Sequence, residues 1–338
     1  MNTMRRGYRG MIDGMPSLAD ALATGPVVLD GGLSTELEAR GHDVSSALWS
    51  ARLLRDDPAA IVAAHAAFAA AGAQVATTAS YQATVEGFAA VGVDAGEARR
   101  LIASSVALAR QGQGGAGWVA GSIGPYGAML ADGSEYRGDY VGSMSVDRLR
   151  TFHRPRMELL ADAGADVLAC ETVPAAAEAE ALVAEAEALG VLMWLSLTTV
   201  VDDAGTARTR RGERAADVFA MAAGVDAVVA VGVNCTAPAA VGPAVLAAAA
   251  AGTPVVVYPN SGETWDAAAR RWTGQPGVSP DDVPTWIAAG ARLVGGCCRV
   301  RPTDIAAIAA AVRGDQCTYR RRQRIGLPPV TATRAPET

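Results

Sequence analysis

The strongest constraint on this chain is a rhythm that repeats eight times. Short runs, apolar at nearly every position and rich in residues branched at Cβ, alternate with longer stretches rich in Ala, Leu and Glu. The runs are Val27–Asp30, Gln74–Ala79, Trp118–Ile123, Asp166–Cys170, Leu192–Leu197, Ala227–Val233, Pro254–Tyr258 and Arg292–Gly295. Parallel strands buried on both faces carry such runs, because neither face meets water. Helices are predicted over Pro58–Ala71, Ala95–Arg110, Val146–Ala163, Ala175–Leu189, Ala215–Ala223, Ala239–Ala250, Pro280–Ala289 and Thr303–Val312. Gly72, Gly164, Gly190, Gly224, Gly252 and Gly290 follow six of these helical stretches as stop signals. Strand–helix alternation means an α/β fold with a parallel sheet, and eight units over about 290 residues fit a single closed (β/α)8 TIM barrel. A doubly wound open sheet satisfies the same pattern.

With 338 residues, half of them hydrophobic, the chain can bury one large core. We expect the barrel to span residues 18–313. Met1–Ser17 and residues 314–338, which hold Arg320, Arg321, Arg322 and Arg324, lack clear periodicity and read as a flexible extension and a flexible tail. Two connections are long, Gly124–Ser145 and Asn260–Ser279, and both follow strand C-termini, the end where barrels place their chemistry. A net charge of −6 gives no footprint for nucleic acid. No run approaches the roughly 20 apolar residues that span a bilayer. The Arg5, Arg6, Arg9 segment lacks the apolar stretch of a secretory signal, so a cytoplasmic location with reduced thiols is expected. The oligomeric state is left open, with a monomer compatible.

Polar residues recur where strands end. Asp30 closes the first run, Glu171 the fourth, Asn234 and Cys235 the sixth, and Asn260 the seventh, while Cys297 and Cys298 follow two glycines at the end of the eighth. In a barrel these ends converge on one mouth. Adjacent cysteines do not readily bond to each other, since the geometry is strained. Any one cysteine is equally well explained as a small buried hydrophobe. Three of them beginning loops on one face make a soft donor set suited to Zn2+, with a fourth position open for a substrate. Cys170 should point away from Glu171 by strand alternation and read as core, and Cys317 falls in the tail.

Asp30 and Glu171 can serve as an acid/base pair or hold a cationic amino group. Gly31 and Gly32 would present backbone N–H groups ahead of a helix, a place for a carboxylate. Together these features suit an α-amino acid. His42, His65 and His153 fall on helices or their edges, which disfavours a histidine-ligated metal or a catalytic triad. Gly112–Gly117 matches G-x-G-x-x-G but follows a helix and precedes a strand, the reverse of a dinucleotide site.

Several segments are long and specific: LDGGLSTELEARG from Leu29, TTASYQA from Thr77, VAGSIGPYGAMLADGSEYRGDY from Val119, FHRPR from Phe152, LACETVP from Leu168, VGVNC from Val231, VVYPNSGE from Val256 and ARLVGGCCR from Ala291. On these the chain resembles the homocysteine S-methyltransferase family over Leu18 to Val312, in the branch using S-methylmethionine or S-adenosylmethionine. The resemblance implies a TIM barrel, catalytic zinc on Cys235, Cys297 and Cys298, and homocysteine as acceptor. It implies the amino group near Asp30 and Glu171, the carboxylate near the Gly31, Gly32 and Leu33 backbone, and Asn234, Tyr258, Asn260 and Glu263 lining the same mouth.

The expected chemistry follows from sulfur. A free thiol is mostly protonated at neutral pH, and zinc deprotonates it. The thiolate can then attack the methyl carbon of a cationic sulfonium donor, with methionine as product. Tyr81, Tyr126, Tyr136 and Glu135 are candidate partners for that cation. A selenocysteine or other thiol methyltransferase, a zinc-thiolate storage or redox-sensing protein, and a hydrolase built on Asp30 and Glu171 are the alternatives.

Overall fold

The computed structural model describes residues 15–45, 48–266, 271–273 and 279–324, with side chains described except at 49, 264–272 and 315–324. Eight parallel strands form the centre: β1 (Val27–Val28), β2 (Val75–Thr77), β3 (Trp118–Ile123), β4 (Val167–Val173), β5 (Met193–Leu197), β6 (Val228–Asn234), β7 (Val255–Tyr258) and β8 (Ala291–Val294). Their order is β1-β8-β7-β6-β5-β4-β3-β2. The barrel closes between β1 and β2 through a single Leu29–Val75 bridge. Two further bonds join that seam: Gln74 N–H to the Val28 carbonyl at 2.8 Å, and Val28 N–H to the Gln74 side chain at 3.0 Å. The expected (β/α)8 barrel is therefore the fold, and the open sheet is excluded.

Strand alternation splits the interior into two layers. One set of side chains packs inside the barrel: Val27, Leu29, Val75, Trp118, Ala120, Val167, Ala169, Trp194, Ala230, Val256 and Leu293, with Leu18 and Leu22 in the same cluster. The other set faces the helices, among them Ile123, Leu168, Cys170, Val173, Leu195, Val231, Val233, Val257 and Val294. Leu18 and Leu22 come from a short helix, Leu18–Thr24, N-capped by Ser17. The Trp118 indole donates to the Pro16 carbonyl at 3.1 Å and ties the start of the described chain to the barrel.

Helices over Pro58–Ala70, Ala95–Gly112, Val146–Asp162, Ala176–Leu189, Ala215–Ala220, Pro238–Ala249, Val283–Ala288 and Pro302–Arg324 form the outer ring. All six stop glycines have positive φ, from 67° to 115°. Gly112–Gly117 is the end of the second outer helix and the turn into β3, as its order in the chain implied.

Some expectations change. The last helix does not end near Val312 but runs to Arg324, and Gly314 and the backbone of Cys317 belong to it. Residues 1–14 and 325–338, also assigned to the flexible ends, lie outside the described residues. The long connection after β3 is folded, with a helix over Tyr126–Leu130 and tight turns over Ser134–Tyr136 and Asp139–Gly142. A β-hairpin, Thr199–Val201 paired with Ala207–Thr209, grows from the end of β5. Thr199 and Thr209 are buried, but Val200 is exposed, and the apolar alternation is too short to show it in the sequence.

Candidate active site

Inside the barrel each strand changes character toward its C-terminus. On β2 the inward residue passes from Val75 to Thr77, on β3 from Trp118 and Ala120 to Ser122, and on β4 from Val167 and Ala169 to Glu171. On β6 it passes from Ala230 to Asn234, and on β7 from Val256 to Tyr258. The upper residues, with Asp30, line a cavity of about 130 Å3 at the mouth. Gly31–Thr35, Tyr81, Tyr136, Cys235, Gly296, Cys297 and Cys298 complete much of its wall.

The three predicted cysteines meet there. Their sulfurs lie 3.3 Å apart for Cys235–Cys297, 3.6 Å for Cys235–Cys298 and 4.0 Å for Cys297–Cys298. The chain leaving β7 organises both segments. Cys235 N–H donates to the Tyr258 carbonyl at 3.3 Å and Cys297 N–H to the Pro259 carbonyl at 2.8 Å. Cys298 N–H donates to the Asn260 side chain at 3.2 Å. Cys235 itself has φ of 47°, a left-handed conformation that costs a non-glycine residue energy. Thr198 helps hold it, its hydroxyl donating to the Cys235 carbonyl at 3.1 Å.

For tetrahedral thiolate coordination at about 2.3 Å, ligand sulfurs lie about 3.8 Å apart. The observed separations bracket that value, so the trio can take such a cation almost in place. The charge balance agrees. Hydrogen bonds from Cys235 and Cys297 hold the Cys298 thiol well below its ordinary value, while hydrogen bonding within the trio and burial push the Cys297 thiol well up. Three thiolates packed this closely and buried would repel one another, so ionising all three calls for a cation among them.

The two carboxylates are buried, Asp30 at 4% exposure and Glu171 at 6%. Asp30 accepts from Thr77 N–H at 2.7 Å and from the Thr77 hydroxyl at 2.8 Å. Glu171 accepts from the Ser122 hydroxyl, and the Tyr258 hydroxyl also bonds to it. That hydroxyl accepts from the Trp194 indole at 2.9 Å. Burial raises both carboxyl groups to about 7, against these hydrogen bonds, and Glu171 pushes Asp30 up further. A pair so held is half-charged at neutral pH and favours a cation between its members.

Gly31 and Gly32 let the end of β1 approach the cysteine turn. A Cβ on Gly31 would sit 2.6 Å from the Val300 carbonyl oxygen, and one on Gly32 2.6 Å from that of Cys297. The Gly32 N–H is spent on the Val300 carbonyl at 2.9 Å, contrary to the expectation that it stays open. Gly32 is the N-cap of helix Leu33–Ala39 and has no side-chain cap, so the first-turn amides of that helix begin at the cavity wall.

Other predicted residues divide. Asn234 lines the cavity and clamps Thr172, accepting from its N–H at 2.7 Å and donating to its hydroxyl at 2.8 Å. Asn260 and Glu263 are not on the cavity wall. Asn260 supports Cys298 from behind, and Glu263 pairs with Arg299 at 3.4 Å and accepts from Ser261. Tyr81 and Tyr136 face the cavity, and the Tyr136 hydroxyl reaches the Cys235 sulfur at 3.4 Å. Tyr126 packs elsewhere, between Tyr140 and Phe152. Glu135 is buried with one carboxylate oxygen that meets no hydrogen-bond partner, and burial raises its pKa. Cys170 faces the helices, as alternation required. Thr77, Ser122 and Thr198 were not singled out from the sequence. The signal was present for Thr77 and Ser122, each the first polar inward position after apolar ones; on β5 that position is Ser196, and Thr198 follows it just past the strand.

A parallel barrel with three convergent cysteines and paired carboxylates at its C-terminal mouth has the architecture of an enzyme, with a thiol cluster able to hold a metal ion. The profile of the homocysteine S-methyltransferase family matches residues 27–312, and the chain belongs to that family. It is 47% identical to homocysteine S-methyltransferase of Escherichia coli over 84% of this chain and 94% of that one. It is 38% identical to selenocysteine Se-methyltransferase of Brassica oleracea var. italica, over 84% and 88% of the two chains. The crystal structure of the homocysteine methyltransferase MmuM from Escherichia coli in its metallated form superposes with a TM-score of 0.74 at 45% identity, over 85% of this chain and 96% of that one. Among the described residues no helix is long and apolar enough to cross a membrane.

Proposed function

We propose that this protein transfers a methyl group from a sulfonium amino acid, S-methylmethionine, to the thiolate of homocysteine, with Zn2+ held by Cys235, Cys297 and Cys298. The carrying observation is the three cysteine sulfurs, all within 4.8 Å of one another, on the wall of a cavity that also holds Asp30 and Glu171. Zinc bound there supplies the acidity that turns a substrate thiol into a thiolate near neutral pH. That the Escherichia coli relative crystallises in a metallated form supports a metal in this protein too.

The chain's own residues do the rest. Asp30 and Glu171 receive the homocysteine ammonium, each oriented by the hydroxyls behind it. The first-turn amides of helix Leu33–Ala39, not the occupied Gly32 N–H, receive the carboxylate beside Gly31 and Gly32. With both ends fixed, the sulfur has one place to go, beside the three cysteines. Tyr81 and Tyr136 offer aromatic faces to the incoming sulfonium, and a cation there would favour the charged form of the buried Glu135. The acceptor sulfur forms a bond to the methyl carbon as the donor's S–CH3 bond breaks. The bonding pair returns to the donor sulfur, which leaves as a neutral thioether, and both products are methionine. No proton moves at the methyl group, so no base is needed there.

Incubation of the zinc-loaded, reduced protein with homocysteine and S-methylmethionine tests this reading. Methionine should form at two molecules per donor consumed, and S-adenosylmethionine should be the poorer donor. No methionine from either donor would end the proposal. The selenocysteine-specific relative supports a second acceptor, a selenol, and competition between homocysteine and selenocysteine for limiting donor separates the two.

A further inference from the structure

We propose that Arg210 binds the α-carboxylate of the methyl donor at the rim of the mouth. This rests on the reading that the donor is a sulfonium amino acid. The hairpin from β5 carries the chain outward and returns it at Thr209. A tight turn follows, closed by Thr209 N–H on the Glu213 carbonyl at 2.9 Å, with Gly212 at φ of 87°. The turn is seated on the loop that bears Tyr136: a Cβ on Gly138 would meet the Arg211 stem at 3.2 Å. Its far end is tied as well, with Ala176 N–H donating to the Glu213 carboxylate at 3.4 Å.

This seating turns Arg210 toward the cysteines. Its guanidinium donates to the Thr198 hydroxyl at 3.2 and 3.4 Å, the hydroxyl that donates onward to the Cys235 carbonyl. Cys235 and Tyr136 are the groups whose charge it feels, and burial lowers its pKa. Of its neighbours, Arg208 pairs with Asp202 at 2.5 Å and Arg214 reaches Asp217 at 4.0 Å, while Arg211 is exposed and lays its stem against Gly138. Among the described residues Arg210 pairs with no carboxylate. A guanidinium carries five N–H donors in a planar fork, and a partly desolvated one without an anion is costly. A carboxylate is the ligand that fits the fork.

The acceptor is an unsuitable source of that carboxylate. Arg210 is not on the cavity wall, where, on the function proposed above, Asp30, Glu171 and the backbone beside Gly32 hold both ends of homocysteine. A second amino acid whose sulfonium lies beside Tyr136 has a short alkyl chain leading from that sulfur to its carboxylate. Arg210 is held by a turn seated on the loop of Tyr136 and feels the charge of that residue, so such a chain would lead the carboxylate toward it.

The test pairs two variants, Arg210→Met and Arg210→Lys, with two donors. One donor is S-methylmethionine and the other is its decarboxylated analogue, (3-aminopropyl)dimethylsulfonium. KM for each substrate, calorimetric Kd for each donor and metal content are measured. Loss of one charged hydrogen-bonded pair should raise KM and Kd for S-methylmethionine about 10- to 100-fold in Arg210→Met. KM for homocysteine and the metal content should stay at wild-type values, and Arg210→Lys should recover part of the loss. Wild type should bind the analogue as weakly as Arg210→Met binds either donor. Unchanged donor affinity in Arg210→Met would overturn the proposal, as would an equal penalty for the analogue in both proteins. A fall in metal content would also overturn it, by showing that Arg210 balances the cysteine charge instead. Wild type that neither binds nor uses S-methylmethionine removes the donor reading and this proposal with it. Wild type and Arg210→Met using it equally well removes this proposal alone.

Discussion

The two ends of the barrel interior are built from the same alternation and do opposite work. At the N-terminal end Leu18, Leu22, Val27, Trp118, Val167 and Trp194 fill the space with apolar volume. At the C-terminal end the same inward register presents Thr77, Ser122, Glu171, Asn234 and Tyr258, joined by Asp30 and the three cysteines. The lower end gains from every buried methylene. The upper end carries buried carboxylates raised to about 7 and non-glycine residues in left-handed backbone, at Thr172 and Cys235. Stability is concentrated below and reactivity above, and the two should separate under mutation.

The sharpest separation is expected from Cys297→Ser. Metal content should fall below one equivalent and turnover to background, with the unfolding midpoint of the metal-free protein close to that of metal-free wild type. Metal analysis beside a thermal melt checks both. Leu22→Ala is the converse: it should cost about 2–5 kcal/mol of stability while leaving kcat of the folded enzyme unchanged. A proportional loss of kcat would show that the lower layer shapes the mouth after all. Glu171→Gln should weaken homocysteine binding by about 1.5–3 kcal/mol, read as a rise in KM. Stability of the free protein should stay level or rise, because a buried charge is removed.

The smallest effect is in pH. Asp30 and Glu171 titrate in the free fold at about 7, above their ordinary values of 3.8 and 4.5. An ammonium ligand prefers them ionised, so methionine, which has no thiol to confuse the reading, should bind more tightly as pH rises through 7 and release protons on binding. In the free protein the sign reverses. The folded state keeps protons that the unfolded chain gives up, so this contribution to stability is lost as pH rises from about 4 through 7. Calorimetry of methionine binding in buffers of different ionisation enthalpy measures the protons directly. No pH dependence between 6 and 8 would mean the pair is charged before ligand arrives.

The barrel was legible in the sequence because its signal is redundant: eight apolar runs and six glycine stops agree. The cysteine trio was legible because strand ends converge in such a fold whatever the details. What stayed hidden depends on contacts between distant segments. The supports of the carboxylates, Thr77 and Ser122, lie 47 and 49 residues from their partners. Asn260 was placed on the mouth by the motif that contains it, yet its side chain turns back to hold Cys298 N–H. Glu263 belongs to the same motif and is drawn off by Arg299. The final helix was cut short at Val312 because its outer turns are charged and lack an apolar stripe.

The seam between β1 and β2 carries a last consequence. Elsewhere neighbouring strands share a ladder, but here one bridge and the backbone N–H and side chain of Gln74 do that work, and Asp30 continues the seam upward by binding Thr77 N–H. The residue proposed to receive the substrate's ammonium is thus also a stitch in the barrel wall. Amide hydrogens along this line should exchange with solvent sooner than those of the other strand pairs, because fewer bonds must open together. An amino acid bound between Asp30 and Glu171 would slow that exchange, so occupancy of the mouth would be felt as a quieter barrel.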